Sequence, residues 1–287
     1  MQNAQNMIER LNRSGSKLSK SHRRIADYIT QHYDKAVYMT ASKLGEVVGV
    51  SESTVVRFAV AMGYPGYPEL QSSLRELVRH RLTTTQRFEM TSDICESNVL
   101  STVLKADMQN IRSTIEDIDE GAFREAVRVI SGVKTLYILG LRSAAPLAEF
   151  AGYYLHYIFD DVRVMASGST DVFEAVSRIR SGDVLLAISF PRYSSRTIEA
   201  MSFARSRSAQ VIGITDGPMS PLHEAADICL SVRTDMASFV DSMAAPMSVI
   251  NALIVALGLK HRDALAERFK QLEELWDAYS VYMNESK

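Results

Sequence analysis

The stretch DVLLAISFPRYSSRT, residues 183–197, decides how the rest of the chain is read. Val184-Leu185-Leu186-Ala187-Ile188 is a short, continuous apolar run with a β-branched residue at each end. Such a run predicts a strand buried on both faces of a parallel sheet. It gives way to Ser189-Phe190-Pro191-Arg192-Tyr193-Ser194-Ser195-Arg196-Thr197, dense in hydroxyls and guanidiniums, and a helix is expected from Ile198 onward. A strand-to-helix turn aims backbone N–H groups and the positive end of a helix dipole at one point, which suits phosphate. The stretch therefore predicts a turn that holds a phosphorylated small molecule.

Working outward, four further apolar runs, at 135–139, 162–165, 211–214 and 228–232, alternate with helical patterns. That alternation predicts an α/β, doubly wound, five-stranded parallel sheet with helices on both faces. Ligands of such sheets sit at the carboxyl ends of the strands. The first run ends in Gly140-Leu141-Arg142-Ser143-Ala144. A single glycine is not the dinucleotide fingerprint, so no nicotinamide cofactor is expected. Gly140 permits a tight turn, and Ser143 is placed to donate a hydrogen bond at the start of the next helix. The fourth run ends in Thr215-Asp216-Gly217-Pro218, after which Ser220 is a helix cap.

The N-terminal part has only helical spacing. Ile25, Tyr28, Ile29 and Tyr33 share a helix face, with Ser19 or Ser21 as its cap. Thr40 caps a second segment in which Leu44, Val47 and Val48 face inward and Gly49 ends the helix in the left-handed position. Ser51 then caps a third, with a stripe of Val55, Phe58, Ala59 and Met62, and Gly63 stops it. Two short helices joined by a tight glycine turn predict an all-α helix-turn-helix domain. Ser51, Ser53, Thr54 and Arg57 stay outward once that stripe is buried. Hydroxyls at the start of a recognition helix reach bases or phosphates, and Arg57 can grip a guanine or a phosphate. Glu52 either accepts from a cytosine or simply occupies the helix N-terminus.

A further helix is expected from Pro68 to about Arg81, with Arg75, Arg79, His80 and Arg81 as solvated charge. Residues 82–98 lose periodicity and read as a linker. Helical spacing returns from Val99 to Ile118 (Val103, Met108, Ile111, Ile115), in helices expected to lead into the second domain and to pack across a dimer. The domains are thus expected at 1–81, 82–98 and 99–287.

Bulk properties agree with two domains, since 287 residues exceed one typical core. No apolar run of about 18 residues predicts a membrane span. The N-terminus shows no apolar signal segment, so the expected location is the cytoplasm. Cys95 and Cys229 make no disulfide framework, and the six scattered histidines make no metal site with them. Neither a metal nor another cofactor is expected. The overall charge of −2 is unevenly spread. Residues 1–90 hold 13 of the 32 Lys and Arg and 8 of the 34 Asp and Glu, a net +5, leaving 19 against 26, a net −7, for the rest. A basic N-terminal part on an acidic body points to nucleic acid at one end.

With those residues in view, LSKSHRRIADYI and SESTVVRFAVAMGYPGYPEL resemble the N-terminal domain of RpiR-type bacterial transcription regulators. The pattern DVLLAIS, followed by VIGITDGPMSPL and AADICL, resembles the sugar isomerase (SIS) domain that completes them. Together these cover nearly all of the chain but the linker. The resemblance implies a double-stranded DNA operator, control of carbohydrate metabolism genes, and a phosphosugar bound by hydroxyls of a Ser-x-Ser-Gly-x-Thr turn. Ser189 matches the first serine, Ser194 stands at the threonine, and Ser143 matches the serine after the first strand. Pro191 replaces the second serine and removes a donor. Arg192 replaces the glycine and adds a fork that pairs phosphate or carboxylate. The expected effector is therefore a phosphosugar or a sugar acid bound by Ser143, Ser189, Arg192 and Ser194. SIS domains pair, which implies a homodimer or homotetramer.

The alternative is a phosphosugar isomerase-type enzyme, which needs a base to move a proton beside a carbonyl. Glu199, His223 and Glu224 qualify by position alone and lie in no motif that assigns the role. With a DNA-reading domain attached, a sensor that does not turn over its ligand is the expected reading. A third reading is a dimer whose second domain is a scaffold without ligand.

Overall fold

The computed structural model describes residues 18–37, 39–79, 83–90, 96–166, 171–236 and 238–282. It divides into two compact units, residues 1–93 and 94–287.

The first unit is helical: α1 (Lys20–Gln31), α2 (Tyr33–Ala36), α3 (Ala41–Val48), α4 (Glu52–Ala61), α5 (Tyr67–Arg79) and α6 (Thr84–Met90). Ser19, not Ser21, caps α1, accepting from the His22 N–H at 3.2 Å. Ile25, Ile29, Leu44, Val48, Val55, Phe58, Ala59, Met62, Leu70 and Leu74 close one core. Val47, expected inward, is exposed; Leu44 and Val48 carry that face of α3. Gly45 allows α3 and α4 to approach closely, because a Cβ there would stand 2.7 Å from the Val50 carbonyl oxygen. Met39 is tied down as well, its carbonyl accepting from the Tyr67 hydroxyl at 2.7 Å and the Gln71 amide at 2.9 Å. The basic side expected from Arg75, Arg79, His80 and Arg81 lies outside the described side chains.

The stretch expected as an aperiodic linker contains α6. Thr83 accepts from the Gln86 N–H at 3.3 Å while the Gln86 side chain accepts from the Thr83 N–H at 2.9 Å. This reciprocal capping box starts a helix where a run of threonines reads as loop.

The second unit opens with α7 (Val99–Asp117) and α8 (Glu120–Ser131). Then come β1 (Leu136–Gly140), α9 (Ala145–Leu155), β2 (Val162–Met165), α10 (Val172–Val176), β3 (Val184–Ile188), α11 (Ser195–Ser206), β4 (Gln210–Thr215), α12 (Pro221–Ala225) and β5 (Ile228–Ser231). The unit closes with α13 (Ala244–Lys260) and α14 (Arg262–Ala278). All five strands are parallel, in the order β2-β1-β3-β4-β5. Side-chain alternation splits the core in two. Ile138, Leu186, Ile188 and Ile212 meet α8, α9 and α13 on one face, while Tyr137, Leu139, Leu185 and Val211 meet α10, α11 and α12 on the other. Every β3 residue is buried, as a continuous apolar run requires. The chain winds outward from β1 to β2, then returns past β1 to β3. The carboxyl ends of β1 and β3, in register with Gly140 beside Ile188, therefore flank the topological switch point.

Candidate functional site

The first candidate surface is the start of α4. Ser51 caps the helix, accepting from the Thr54 N–H at 3.3 Å. Its hydroxyl also lies 3.0 Å from that of Ser53 and 2.8 Å from that of Thr54. Arg57 folds back over them, donating to the Ser53 carbonyl at 3.3 Å and the Thr54 hydroxyl at 3.4 Å. All four residues expected to touch DNA thus form one polar cluster facing solvent, and only Thr54 is half-buried. Glu52 is exposed in the first turn, where a carboxylate suits the helix dipole. Val56 and Val60, which the sequence reading passed over, are exposed on the same helix. Their signal was available: both fall outside the Val55, Phe58, Ala59 and Met62 stripe.

The second candidate site is the switch-point crevice. After β1, Gly140 is obligatory, since a Cβ would meet the Ala144 carbonyl oxygen at 2.6 Å and the Ala148 Cβ at 2.9 Å. This close return places Arg142-Ser143-Ala144 in a single 3₁₀ turn, with Ser143 exposed and Arg142 left-handed at φ 58°. After β3, Ser189 is buried and its N–H donates to the Ile214 carbonyl at 3.2 Å. Phe190 enters the core and Pro191 is buried beside it. Arg192 then turns left-handed at φ 70° with its side chain exposed. That backbone explains why glycine belongs at this place in the Ser-x-Ser-Gly-x-Thr pattern. An arginine held there costs about 1–2 kcal/mol more than in an ordinary conformation.

Ser194 is the N-cap residue of α11, yet its side chain makes no cap hydrogen bond. Three positions on, the Thr197 hydroxyl is fully buried and has no hydrogen-bond partner. The helix thus starts with an uncommitted hydroxyl and orphan N–H groups, as an anion site requires. Thr197 lies within the stretch 183–197 but outside the expected ligand set. Its spacing with Ala200, Met201 and Ala204, one buried helix face, was the signal.

The turn is braced from both sides. Tyr193 donates to Asp216 at 2.6 Å, and the Thr215, Asp216 and Ser220 side chains join beneath it, with 2.7 Å between the Thr215 and Ser220 hydroxyls. Ser220 caps α12 through the Leu222 N–H. On the other side Arg196 pairs with Asp171, the cap of α10. The Phe173 N–H, and then Arg196, hold the Asp171 carboxyl below its ordinary range. Cys229 lies apart on β5, where burial and then the Asp216 charge push its thiol up to about 12. Glu199, His223 and Glu224, the candidate bases of an isomerase, are all exposed. Among the described residues, no group of three or more His, Cys, Asp or Glu side chains is placed to hold a metal ion. No single described helix is long and apolar enough to cross a membrane.

A helix-turn-helix unit with an exposed polar recognition face, joined to a doubly wound sheet, defines a two-domain DNA-binding regulator. The helix-turn-helix domain of the rpiR family matches residues 5–80, and the SIS domain matches residues 129–256. The chain belongs to the RpiR-type transcriptional regulators. It is 24% identical to the HTH-type transcriptional regulator HexR of Escherichia coli K12 over 278 residues, covering 94% of this chain and 93% of HexR. An uncharacterised HTH-type regulator of Haemophilus influenzae is 28% identical over 229 residues, 77% of this chain and 78% of that one. Among solved structures, Vibrio vulnificus NanR complexed with ManNAc-6P superposes with TM-score 0.60 at 19% identity, covering 97% of this chain and all of NanR. The sugar isomerase domain of an RpiR factor from Sphaerobacter thermophilus gives 0.59 at 21%, covering 62% of this chain and 99% of that domain. At these identities the two structures attest the fold.

Proposed function

We propose that this regulator binds a phosphorylated sugar or sugar acid in the crevice between the 140–144 turn and the 189–197 turn. Ser143, Ser189 and Ser194 supply hydroxyls, Arg192 pairs an anionic group, and Thr197 adds the buried donor. The observation that carries this reading is the unpartnered Thr197 hydroxyl at an uncapped helix start, on the turn that follows buried Ser189. A buried polar group without a partner is costly, and a ligand that accepts its hydrogen bond removes the cost. NanR, the like-folded regulator solved with ManNAc-6P, supports a phosphosugar as the ligand class.

Ser51, Ser53, Thr54 and Arg57 engage double-stranded DNA, with Val56 available to a thymine methyl group. Two copies in the cytoplasm hold paired recognition helices on an operator of carbohydrate metabolism genes, with half-sites about 10 bp apart or a multiple of that. The effector binds the two subunit arrangements with unequal affinity, so DNA must change effector affinity by the same factor. The enzyme reading is disfavoured because Glu199, His223 and Glu224 are exposed, whereas a catalytic base needs a placed substrate within hydrogen-bond reach.

The test is a thermal-shift screen of sugar phosphates and sugar acids, with product analysis of every mixture that shifts. A compound that raises the melting temperature and is recovered unchanged fits a sensor. Turnover establishes the enzyme reading instead, and silence across the panel leaves the scaffold reading.

A further inference from the structure

Each of β1 to β4 is followed by a helix, and the four helix starts fall into two kinds. After β2 and β4 a side chain caps the helix: Asp171 accepts from the Phe173 N–H on α10, and Ser220 accepts from the Leu222 N–H on α12. After β1 and β3 no side chain does so. The N-cap residues there are Ala144 of α9 and Ser194 of α11. Two residues before each of these caps stands an arginine, Arg142 and Arg192, and both are left-handed, at φ 58° and 70°. Two other described non-glycine residues are left-handed, Ser208 and Ser280, and each closes a helix. The Ala209 N–H donates back to the Ala204 carbonyl and the Val281 N–H to the Trp276 carbonyl, the usual helix ending that takes a left-handed residue. The two arginines end no helix. They leave neighbouring strands at the switch point, in a conformation that glycine takes without steric cost. Strain of this kind persists where function uses it.

The two turns nevertheless offer different donors. At α11 the Ser195 and Arg196 N–H groups make no hydrogen bond among the described residues, and Thr197, whose hydroxyl is buried and unpartnered, closes that first turn through its own N–H to the Ser194 carbonyl. Free amides at a helix start surround a tetrahedral phosphate. At α9 the first two positions offer no such amide. The Ala145 N–H already donates to the Arg142 carbonyl, and Pro146 has no N–H. What remains on that side is the exposed Ser143 hydroxyl and the Arg142 guanidinium, which has no hydrogen bond or ion pair among the described residues. One guanidinium fork satisfies both oxygens of a planar carboxylate, and a third phosphate oxygen would be left unserved.

We infer that Arg142 is an effector-binding residue and that the effector carries two separate anionic groups, a phosphate at the α11 start and a carboxylate on Arg142; this rests on the crevice reading above. The ligand class is then a phosphorylated sugar acid. Gly140 of β1 lies in register with Ile188 of β3, and neighbouring strands are about 4.8 Å apart, so one small molecule spans both seats. A neutral-headed sugar phosphate leaves Arg142 unsatisfied, and an unphosphorylated sugar acid leaves the amides of α11 and the Thr197 hydroxyl unsatisfied.

The test is isothermal titration of the full chain with three probes on one carbon skeleton: glucose 6-phosphate, gluconate and 6-phosphogluconate. The parent is expected to bind 6-phosphogluconate at least ~10-fold more tightly than either single-anion probe, as one added charge-assisted pair does. Arg142→Gly, which the left-handed backbone accepts, is expected to lose at least ~10-fold of the 6-phosphogluconate affinity and to bind glucose 6-phosphate within about twofold of the parent. Equal affinity of the parent for 6-phosphogluconate and a single-anion probe overturns the second seat while the crevice reading stands. An equal loss of glucose 6-phosphate in Arg142→Gly places Arg142 on the phosphate and overturns the carboxylate seat. Unchanged 6-phosphogluconate affinity in the variant removes Arg142 from the site. No binding of any of the three overturns this inference alone when the thermal-shift panel has yielded another ligand, and the crevice reading with it when the panel is silent.

Discussion

The starts of α4 and α11 use nearly the same residues for opposite ends. Ser51, Ser53, Thr54 and Arg57 open the first; Ser194, Arg196 and Thr197 open the second. At α4 the hydroxyls satisfy one another, Ser51 caps the helix, and the cluster faces solvent. At α11 the cap is missing, Thr197 is buried without a partner, and the turn before it is left-handed at Arg192. One is a finished, outward-facing polar surface. The other is an uncapped helix start inside the fold with a buried hydroxyl left unpaired, the place proposed above as the ligand cradle. Composition cannot tell these apart; burial and capping can.

The largest expected effect breaks the cradle. Ser189→Ala with Ser194→Ala removes two hydrogen bonds to a charged ligand, each about 1.5–3 kcal/mol, so affinity falls by roughly 150-fold or more. Isothermal titration with a compound found in the screen measures it. A loss below fivefold places the ligand elsewhere. On the outward surface, Arg57→Ala is expected to cost about 1–3 kcal/mol of operator binding if Arg57 reads a base, and to relax specificity at one position. If it grips a phosphate, affinity falls uniformly and the salt slope drops by about 1. Unchanged operator affinity removes Arg57 from the interface.

The same contrast explains what was legible in the sequence. Strand periods and the Gly140 and Gly49 turns depend on local pattern, and β3, the helix pair and the alternation were all readable from it. Thr197 was not, because the lack of a partner is a property of what surrounds a side chain. Arg192 was visible as a departure from the sugar-turn pattern, but its left-handed backbone was not. Tyr193 gave no signal, since its brace, Asp216, lies 23 residues away. The α6 capping box was readable and was masked by neighbouring threonines.

Arg192→Gly separates backbone from side chain at the cradle. It relieves about 1–2 kcal/mol of left-handed cost and adds about 0.5–1 kcal/mol of glycine entropy, leaving the melting temperature unchanged or slightly raised. Effector affinity still falls, because the guanidinium is gone. Retained affinity shows that Arg192 serves something other than the ligand, and lowered stability shows that its contacts outweigh its strain.

The sharpest form of the comparison is one substitution made at both helix starts. Threonine to valine keeps the shape and removes the hydroxyl. At Thr54 the hydroxyl has partners and is half-exposed, so Thr54→Val lowers stability by about 0.5–1 kcal/mol. At Thr197 the hydroxyl is buried with nothing to bond, so Thr197→Val raises the stability of the ligand-free protein by about 1 kcal/mol. The same change lowers effector affinity, because the donor that the ligand satisfies has been removed. Denaturant melts with and without effector measure both signs. Opposite signs in the free protein establish that the two helix starts differ in satisfaction and not in composition. A Thr197→Val protein that is less stable without effector shows that the hydroxyl already has a partner, and the cradle loses its central donor.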